Sequence, residues 1–465
     1  MAPTLRGPVE FSEAWAGRTL ELLYANRLDQ AYDRLAYHYS KTDQGPKAVE
    51  YLTRFAEKTA AMYAHAEAAK ALEEALPHAE RLPADERDRR CVELIVRRAE
   101  SLHFLGRRQE IVDSLSHQQE RLERLGDPSL AGKYYFWFGF AHAWLGHRVE
   151  AAQSLHRSLK EATGLGEQAI IGRVHRALAT ECIYSGRSLD EAVAHARKAV
   201  SCLERTEDRF WHSQALFTLS YCCYFIGDFD SALEITVRLD ALGEATGNRR
   251  ARVNAIMMAG LSYATRGEWM AGVESLKRAL DISPDPFETA FILACLGKAY
   301  LEGGDPAHGV PVIERAVQLA DRVRSLQFQC WFRTMLGDAY LLNGQTNEAR
   351  KTIGQALETS ADVQFLLGVG LSHQVLGRIE HADGFLDDAH RYLSDSLQSF
   401  ASIKCRFEAA RTHLDLAVLA HDQGKSPDSA THLREAYSLF RALQVPKYVE
   451  RVKEFAKEFG VPLLP

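Results

Sequence analysis

The sequence of 465 residues is long enough for about three domains of average size, and its composition is that of an ordinary globular protein. Hydrophobic residues make up 46% and charged residues 25%, which excludes a mainly disordered, collagen-like or coiled-coil chain. The formal net charge of −6 gives no electrostatic basis for binding to nucleic acid or to an anionic membrane.

The sequence carries no targeting or membrane-spanning signal. The first eight residues lack the basic stretch and the apolar run of a secretory signal. The most apolar stretch, residues 134–146, is too short to span a bilayer and contains His142. The eight cysteines show neither a CxxC pair nor a zinc-like spacing. We therefore expect a cytoplasmic protein whose cysteines, including the adjacent Cys222 and Cys223, are buried and reduced.

A repeat of about 40 residues organises most of the chain. Glycines recur at positions 106, 146, 186, 227, 267, 304, 344, 384 and 424, each between two stretches with helical spacing of apolar residues. Five or six positions later comes a small or aliphatic residue: Ile111, Ala151, Ala192, Ala232, Gly272, Gly309, Ala349, Ala389 and Ala430.

Each part of this pattern has a structural reason. Glycine ends a helix in the left-handed conformation, and an Asp, Ser or Asn after it can cap the next helix. The small residue lets the two helices approach closely. Each period therefore predicts one antiparallel helical hairpin. Because a single hairpin cannot bury both of its apolar faces, the stack of hairpins predicts an all-α solenoid.

These hairpins resemble tetratricopeptide repeats. The family pattern is present as Leu296-Gly297, Tyr300, Gly304 and Gly309. It recurs one repeat later as Leu336-Gly337, Tyr340, Gly344 and Ala349. The long period is similar to that in the C-terminal arms of bacterial STAND-type ATPases and of maltose-regulator-like transcription factors. The resemblance implies a right-handed superhelical solenoid over residues 87–442, with a concave groove that binds partners.

The N-terminal segment carries a second resemblance. Residues 20–29 and 35–40 look like the junction that follows the ATPase module of STAND-type proteins linked to class III adenylate cyclases. The resemblance implies that residues 1–45 close such a module, that residues 46–86 are atypical capping hairpins, and that residues 443–465 form a capping helix and tail. Because no ATPase or cyclase module precedes residue 1, we expect the sensor arm of a larger protein or a free-standing relative of one.

The motifs of catalysis are incomplete. Gly424-Lys425-Ser426 has only the end of a Walker A loop, and no metalloprotease, hydrolase or calcium motif is present. We therefore predict no enzymatic activity, no cofactor and no metal. One alternative is a histidine cluster for metal or pH sensing near Glu380, and its members would be His373, His381, His413 and His421.

The concave groove is the remaining candidate for function. Counting back from each turn glycine, by analogy with the family, selects Lys133, Phe136, Phe140, Trp144, Arg173, Arg176, Tyr184, Phe217, Tyr221 and Tyr224. Later repeats add Met257, Leu261, Lys298, Trp331, Asp338, Gln374 and Arg378. The aromatic residues either pack between helices or wall a groove in which Arg173 and Arg176 bind anions.

Such a groove suits a protein or peptide partner, or a small ligand. We expect a non-catalytic interaction or ligand-sensing arm in a bacterial signalling system. The alternatives are a scaffold that associates with itself, and the regulatory part of a larger ATPase or adenylate cyclase.

Overall fold

The computed structural model describes residues 8–283, 286–323 and 326–463, and within these ranges it contains helices and no strand. The all-α prediction is therefore confirmed. Residues 1–7 and 464–465 lie outside the described residues. The predicted terminal segments fall partly on them, and the prediction that the first eight residues carry no secretory signal falls almost wholly on them.

The helices follow one another with short turns between them. A 3₁₀ helix, Leu28–Ala31, lies between the first two. The α-helices are α1 (Pro8–Leu23), α2 (Tyr32–Ser40), α3 (Gly45–Ala61), α4 (His65–Ala79), α5 (Ala84–Phe104), α6 (Arg108–Ser116), α7 (Gln119–Leu125), α8 (Pro128–Leu145), α9 (Arg148–Leu165), α10 (Gln168–Tyr184), α11 (Leu189–Leu203), α12 (Arg209–Ile226), α13 (Phe229–Thr246), α14 (Arg249–Arg266), α15 (Trp269–Asp281), α16 (Pro286–Glu302), α17 (Pro306–Val323), α18 (Leu326–Leu342), α19 (Thr346–Asp362), α20 (Leu366–Ala382), α21 (Leu386–Ile403), α22 (Arg406–Asp422), α23 (Ser426–Ala442) and α24 (Pro446–Glu458).

The repeat turns have the predicted backbone conformation. All nine turn glycines are left-handed, with φ between 70° at Gly424 and 110° at Gly267. The predicted caps form where the next residue is Asp: Asp228 accepts a hydrogen bond from the backbone N–H of Ser231 at 3.1 Å. Asp305 does the same for His308 at 3.2 Å. The sequence pattern thus locates the helix ends and, at these turns, the group that satisfies the free N–H.

The small residues after the turns lie between the helices of each hairpin, with one correction. Ala151, Ala232 and Ala349 are fully buried. In the last repeat the buried residue is Ser429 and not the predicted Ala430, which is only half-buried. The Ser429 hydroxyl donates to the carbonyl of Ala417 at 2.8 Å. Ser429 lies five positions after Gly424, so the five-residue step of most other repeats is kept here as well.

The chain divides into two compact units, residues 1–174 (unit 1) and 175–465 (unit 2). In the hairpins of unit 2 from α12 onward, the first helix packs against the second helix of its own hairpin and also contacts the first helix of the next hairpin. We call this inner layer the inner wall of unit 2, and its members are α12, α14, α16, α18, α20 and α22. Helix α12 also contacts α22, so the layer returns on itself within unit 2.

The cysteines are buried thiols, as the sequence predicts. All eight are free and buried. Burial raises the pKa of Cys182 and of Cys223 to about 12, which keeps these thiols protonated at neutral pH. The adjacent pair Cys222 and Cys223 therefore contributes to packing.

Candidate binding surface

The predicted groove residues of unit 1 fall into a packed group and an accessible group. Phe136 and Phe140 are buried on α8, and the Phe140 ring lies 5.0 Å from the ring of His103 on α5. Trp144 is half-buried beneath the guanidinium group of Arg108, at 4.4 Å. Lys133 is exposed and Arg173 is half-buried. In unit 1 Phe140 thus joins α8 to α5.

Arg176, which one of the two sequence-based alternatives makes an anion-binding residue of the groove, is buried in unit 2. Its Nε donates to the hydroxyl of Thr218 at 3.3 Å, and its guanidinium group lies 5.6 Å from the centre of the Trp211 ring. Burial lowers the pKa of Arg176 to about 10, a value at which the side chain stays charged at neutral pH. The residue places a positive charge between α10 and α12.

Several predicted aromatic residues meet inside unit 2. Tyr221 lies 6.1 Å from Phe217, 6.1 Å from Phe291 and 6.0 Å from Trp331, measured between ring centres. We call this group the aromatic cluster, and its members are Tyr184, Phe217, Tyr221, Phe225, Phe291, Phe328 and Trp331. The rings come from α10, α12, α16 and α18, so helices from different repeats touch through them.

Tyr224 lies apart from the aromatic cluster's centre. Its hydroxyl is 3.2 Å from the hydroxyl of Thr265 on α14, and its ring is 5.5 Å from that of Phe229. Burial raises the pKa of Tyr224 well above its ordinary value. This residue joins α12 to α13 and to α14.

Charged side chains occupy equivalent positions on the first helices of three successive hairpins, α16, α18 and α20. Lys298, Asp338 and Arg378 each lie six residues before a turn glycine, and their side chains are only 13%, 17% and 20% exposed. Arg378 forms an ion pair with Asp338. Burial, together with the nearby Arg411, lowers the pKa of Lys298. The structure therefore brings these predicted groove residues together on the inner wall.

Helix α22 extends the same surface with residues that the sequence analysis missed. Arg411 lies 3.9 Å from Asp338 and 3.0 Å from Glu408. Burial raises the pKa of Asp415 on the same helix. We call Lys298, Asp338, Arg378, Glu408 and Arg411 the charged row. The signal was present in the sequence, because residues 408, 411 and 415 are spaced as one face of a helix.

The buried side-chain amide of Gln374 holds together the two helices, α20 and α22, that carry part of the charged row. Gln374 on α20 is buried, and its Nε2 donates to the hydroxyl of Thr412 at 2.9 Å and to the carbonyl of Glu408 at 3.3 Å. These two hydrogen bonds fix α22 against α20. The spacing between Arg378 and Arg411 is therefore set by the backbone of two neighbouring repeats.

The histidines do not assemble around Glu380. That carboxylate forms an ion pair with Arg350, while His381 lies 2.8 Å from Asp422 and the ring of His421 stacks on Phe459. His413 contacts His432, and His373 lies beside Tyr392. The prediction of a histidine cluster is therefore wrong, because each histidine contacts its own hairpin or the end of a neighbouring helix.

Among the residues that the structure describes, no group of three or more His, Cys, Asp or Glu residues is arranged to hold a metal ion. None of the described helices combines the length and apolar character that crossing a membrane requires.

Comparisons with known proteins support the repeat architecture. The tetratricopeptide repeat model matches residues 332–362, which contain α19 and most of α18. No curated protein is significantly similar to the chain. The structure of a Rap protein complexed with competence and sporulation factor is similar over 76% of this chain and 98% of that one, with 14% identity and a TM-score of 0.61.

A second solved structure is similar in the same way. It is the Rap conjugation gene regulator of the plasmid pLS20 in complex with the Phr* peptide, with 12% identity and a TM-score of 0.52. The match covers 76% of this chain and 96% of that chain. At these identities the two structures show the fold of the chain, a tetratricopeptide-like helical repeat.

Proposed function

We propose that the chain is a non-catalytic receptor that binds an extended segment of a peptide or protein on the inner wall of unit 2. The observation that carries the proposal is the charged row. Stacking of hairpins requires only apolar contacts, and charged groups are costly to withdraw from water. Charged side chains at equivalent positions of successive repeats are therefore better explained by recognition than by stability.

The inner wall also changes character along the array. Six residues before the turn glycine, α12 carries Tyr221 and α14 carries Leu261, whereas the next three first helices carry Lys298, Asp338 and Arg378. A ligand that lies along the wall thus meets aromatic and aliphatic groups at one end and charges of both signs at the other. This arrangement fits a polypeptide segment with an apolar part and a charged part.

The comparisons give further support. Both similar structures named above contain a bound factor or peptide. Of the residues predicted from the sequence, Tyr184, Phe217, Tyr221 and Trp331 belong to the aromatic cluster, and Lys298, Asp338 and Arg378 belong to the charged row. The other candidates stay a prediction. A role in a bacterial signalling system, in the cytoplasm, is part of the proposal and is supported by the resemblance of residues 1–45 to the STAND junction.

The test is selection of a peptide followed by a matched pair of variants. The full chain is panned against a displayed library of random 12-residue peptides, and the affinity of a selected peptide is measured by calorimetry. We expect Arg378→Met to weaken binding at least tenfold, because it removes a charge from the inner wall.

The control is Arg333→Met. Arg333 lies on α18, is 19% exposed and pairs with Asp321 of the second helix α17 at 2.8 Å, so it resembles Arg378 in burial and partner but faces another helix. We expect its affinity to stay within about twofold of the parent. Equal affinities in both variants would contradict the proposed site. A chain that selects no peptide and instead forms concentration-dependent oligomers would favour the scaffold.

A further inference from the structure

Turns far apart in the sequence touch one another in unit 2 at a constant separation. The Cys405 thiol lies 3.3 Å from the carbonyl of Phe225, 180 residues away. Gly186 faces Leu366, Gly227 faces Phe407 and Gly267 faces Lys447, each at the same separation. With a period of about 40 residues, the array meets itself after four and a half repeats. We call these contacts between early and late turns the seam.

Ion pairs reinforce the seam at two places. Asp190, in the first turn of α11, lies 3.1 Å from both Lys404 and Arg406. At the other end, the Lys447 ammonium donates to the Glu302 carboxylate at 2.6 Å and to the carbonyl of the same residue at 2.7 Å. Although burial alone would raise it, Lys298 and Lys447 hold the pKa of Glu302 below its ordinary value.

The turn glycines at the seam leave no room for a side chain. A Cβ on Gly186 would lie 2.5 Å from Leu366, and one on Gly267 would lie 2.8 Å from Lys447. A Cβ on Gly227 would lie 3.0 Å from Leu443. At Gly344 and Gly384, which have the same left-handed backbone, no atom lies within 4 Å of such a Cβ. Among the nine turn glycines, close contact therefore requires the absence of a side chain only at the three that lie in the seam.

The seam encloses the proposed binding surface. Because α12 contacts α22, the inner wall returns on itself, and the aromatic cluster and the charged row are mostly buried within unit 2. Separation of the early and late turns would expose the buried side chains of both groups. The half-exposed ion pairs of Asp190 contribute little individually, so separation is within reach of thermal opening or ligand binding.

We propose that the seam is a gate: unit 2 exchanges between a closed form, in which the inner wall is covered by the protein itself, and an open form that binds the ligand. This inference rests on the proposed function. A ligand that binds only the open form shifts the population towards it, and a mutation that weakens the seam increases the open fraction and the apparent affinity.

The first test compares Asp190→Lys with Glu191→Lys in the full chain. Both substitutions reverse an acidic residue in the first turn of α11, but Glu191 pairs with the local Arg187 at 2.7 Å and not with the seam. We expect Asp190→Lys to speed amide hydrogen exchange in α12 and α22 about tenfold and to raise the fluorescence of the dye ANS, which then reaches the aromatic cluster. Glu191→Lys should change neither. The triple variant Asp190→Lys, Lys404→Glu, Arg406→Glu should restore slow exchange.

The second test compares Gly227→Ala with Gly344→Ala. Both place a side chain on left-handed backbone and carry the same local strain, but only Gly227→Ala collides with the seam. We expect faster exchange in α12 and α22 for Gly227→Ala alone, with helical content unchanged by circular dichroism. Equal exchange in the two glycine variants would overturn the seam as a structural closure.

Affinity for the peptide selected above separates the gate from the binding site. We expect Asp190→Lys to bind it several times more tightly than the parent, whereas Arg378→Met binds it more weakly. Faster exchange with unchanged or weaker affinity overturns the gate and leaves the binding site standing. If no peptide is selected, the proposed function fails, while hydrogen exchange and ANS binding still decide whether the seam controls access.

Discussion

At the scale of single residues, unit 2 contains two histidine pairs built in the same way. The Nδ1 atoms of His175 and His195 are 2.8 Å apart, and those of His413 and His432 are 3.0 Å apart. Each pair joins the first and second helix of one hairpin. Because a short contact between two imidazoles requires at least one to be neutral, protonation of both rings works against the folded state.

The histidine pairs predict a loss of stability in mild acid. Burial lowers the pKa of His175 and of His413 to about 4, whereas a histidine in the unfolded chain has a pKa of about 6.5. The unfolded chain therefore takes up more protons between these values, and stability falls as pH drops from about 6.5 to about 4. We expect Tm to decline over that window and to be nearly constant above it.

The variant His413→Gln checks the origin of this decline. It removes one group whose pKa is lowered by burial, so its Tm should fall less steeply between pH 6.5 and pH 4 than that of the parent. His156→Gln, at an exposed position, is the control for the substitution itself. A parallel profile for His413→Gln would show that other groups cause the decline.

At the scale of the helical hairpin, a glycine in the first helix sets the distance to the second. A Cβ on Gly297 would collide with Ile313, and one on Gly337 would collide with Ile353. The sequence analysis recognised both glycines from the family pattern. Their physical role is close approach of two helices, since α-helical backbone itself disfavours glycine.

Two alanine substitutions separate packing from helix propensity. Gly337→Ala should destabilise the protein by about 1–3 kcal/mol, because the added methyl group overpacks the hairpin. Gly354→Ala, on α19, meets no atom within 4 Å and should stabilise the protein by up to about 1 kcal/mol through helix propensity. Chemical denaturation measures both. A stabilising Gly337→Ala would contradict the close packing.

The turn between successive hairpins has a conformation that the sequence does not predict. Left-handed residues also occur between hairpins, and in the later repeats they are Gln364, Lys404 and Gln444, spaced by 40 residues. The pattern of turn glycines marks the turn inside each hairpin, and it does not locate the left-handed residue in the turn between hairpins. Because Gln and Lys rarely adopt the left-handed conformation, their residue type gives no local sign of it.

At the scale of the whole molecule, the described chain forms two compact units, and the seam joins early and late repeats of the second. In an open solenoid each repeat depends only on its neighbours. The seam adds contacts between residues that lie 145 to 216 positions apart in the sequence. A substitution in α24 that breaks a seam contact should therefore also lower the local stability of α16.

Lys447→Met tests this coupling. The substitution removes the ammonium group from the Glu302 carboxylate, which is only 7% exposed, and should cost about 1–3 kcal/mol. We expect faster hydrogen exchange in both α16 and α24. Lys453→Met, which removes an exposed pair with Glu450 on the same helix, should change neither. Faster exchange confined to α24 would contradict long-range coupling.

The sequence by itself determined the hairpins. Turn glycines, small residues at the crossing and helical spacing are local features, and local features decide where helices end and which faces pack. It also placed Lys298, Asp338 and Arg378 on one surface, because equivalent positions of a repeat point the same way. The sequence left open whether the aromatic residues pack between helices or line a groove.

Only the tertiary structure decided whether the inner wall stays open. The contact between Phe225 and Cys405 depends on a small rotation added at every repeat, and the sum over four and a half repeats determines which turns meet. No local pattern encodes that sum. The same residues would line an accessible groove at one pitch, and at the observed pitch they are enclosed, because the array closes on itself within unit 2.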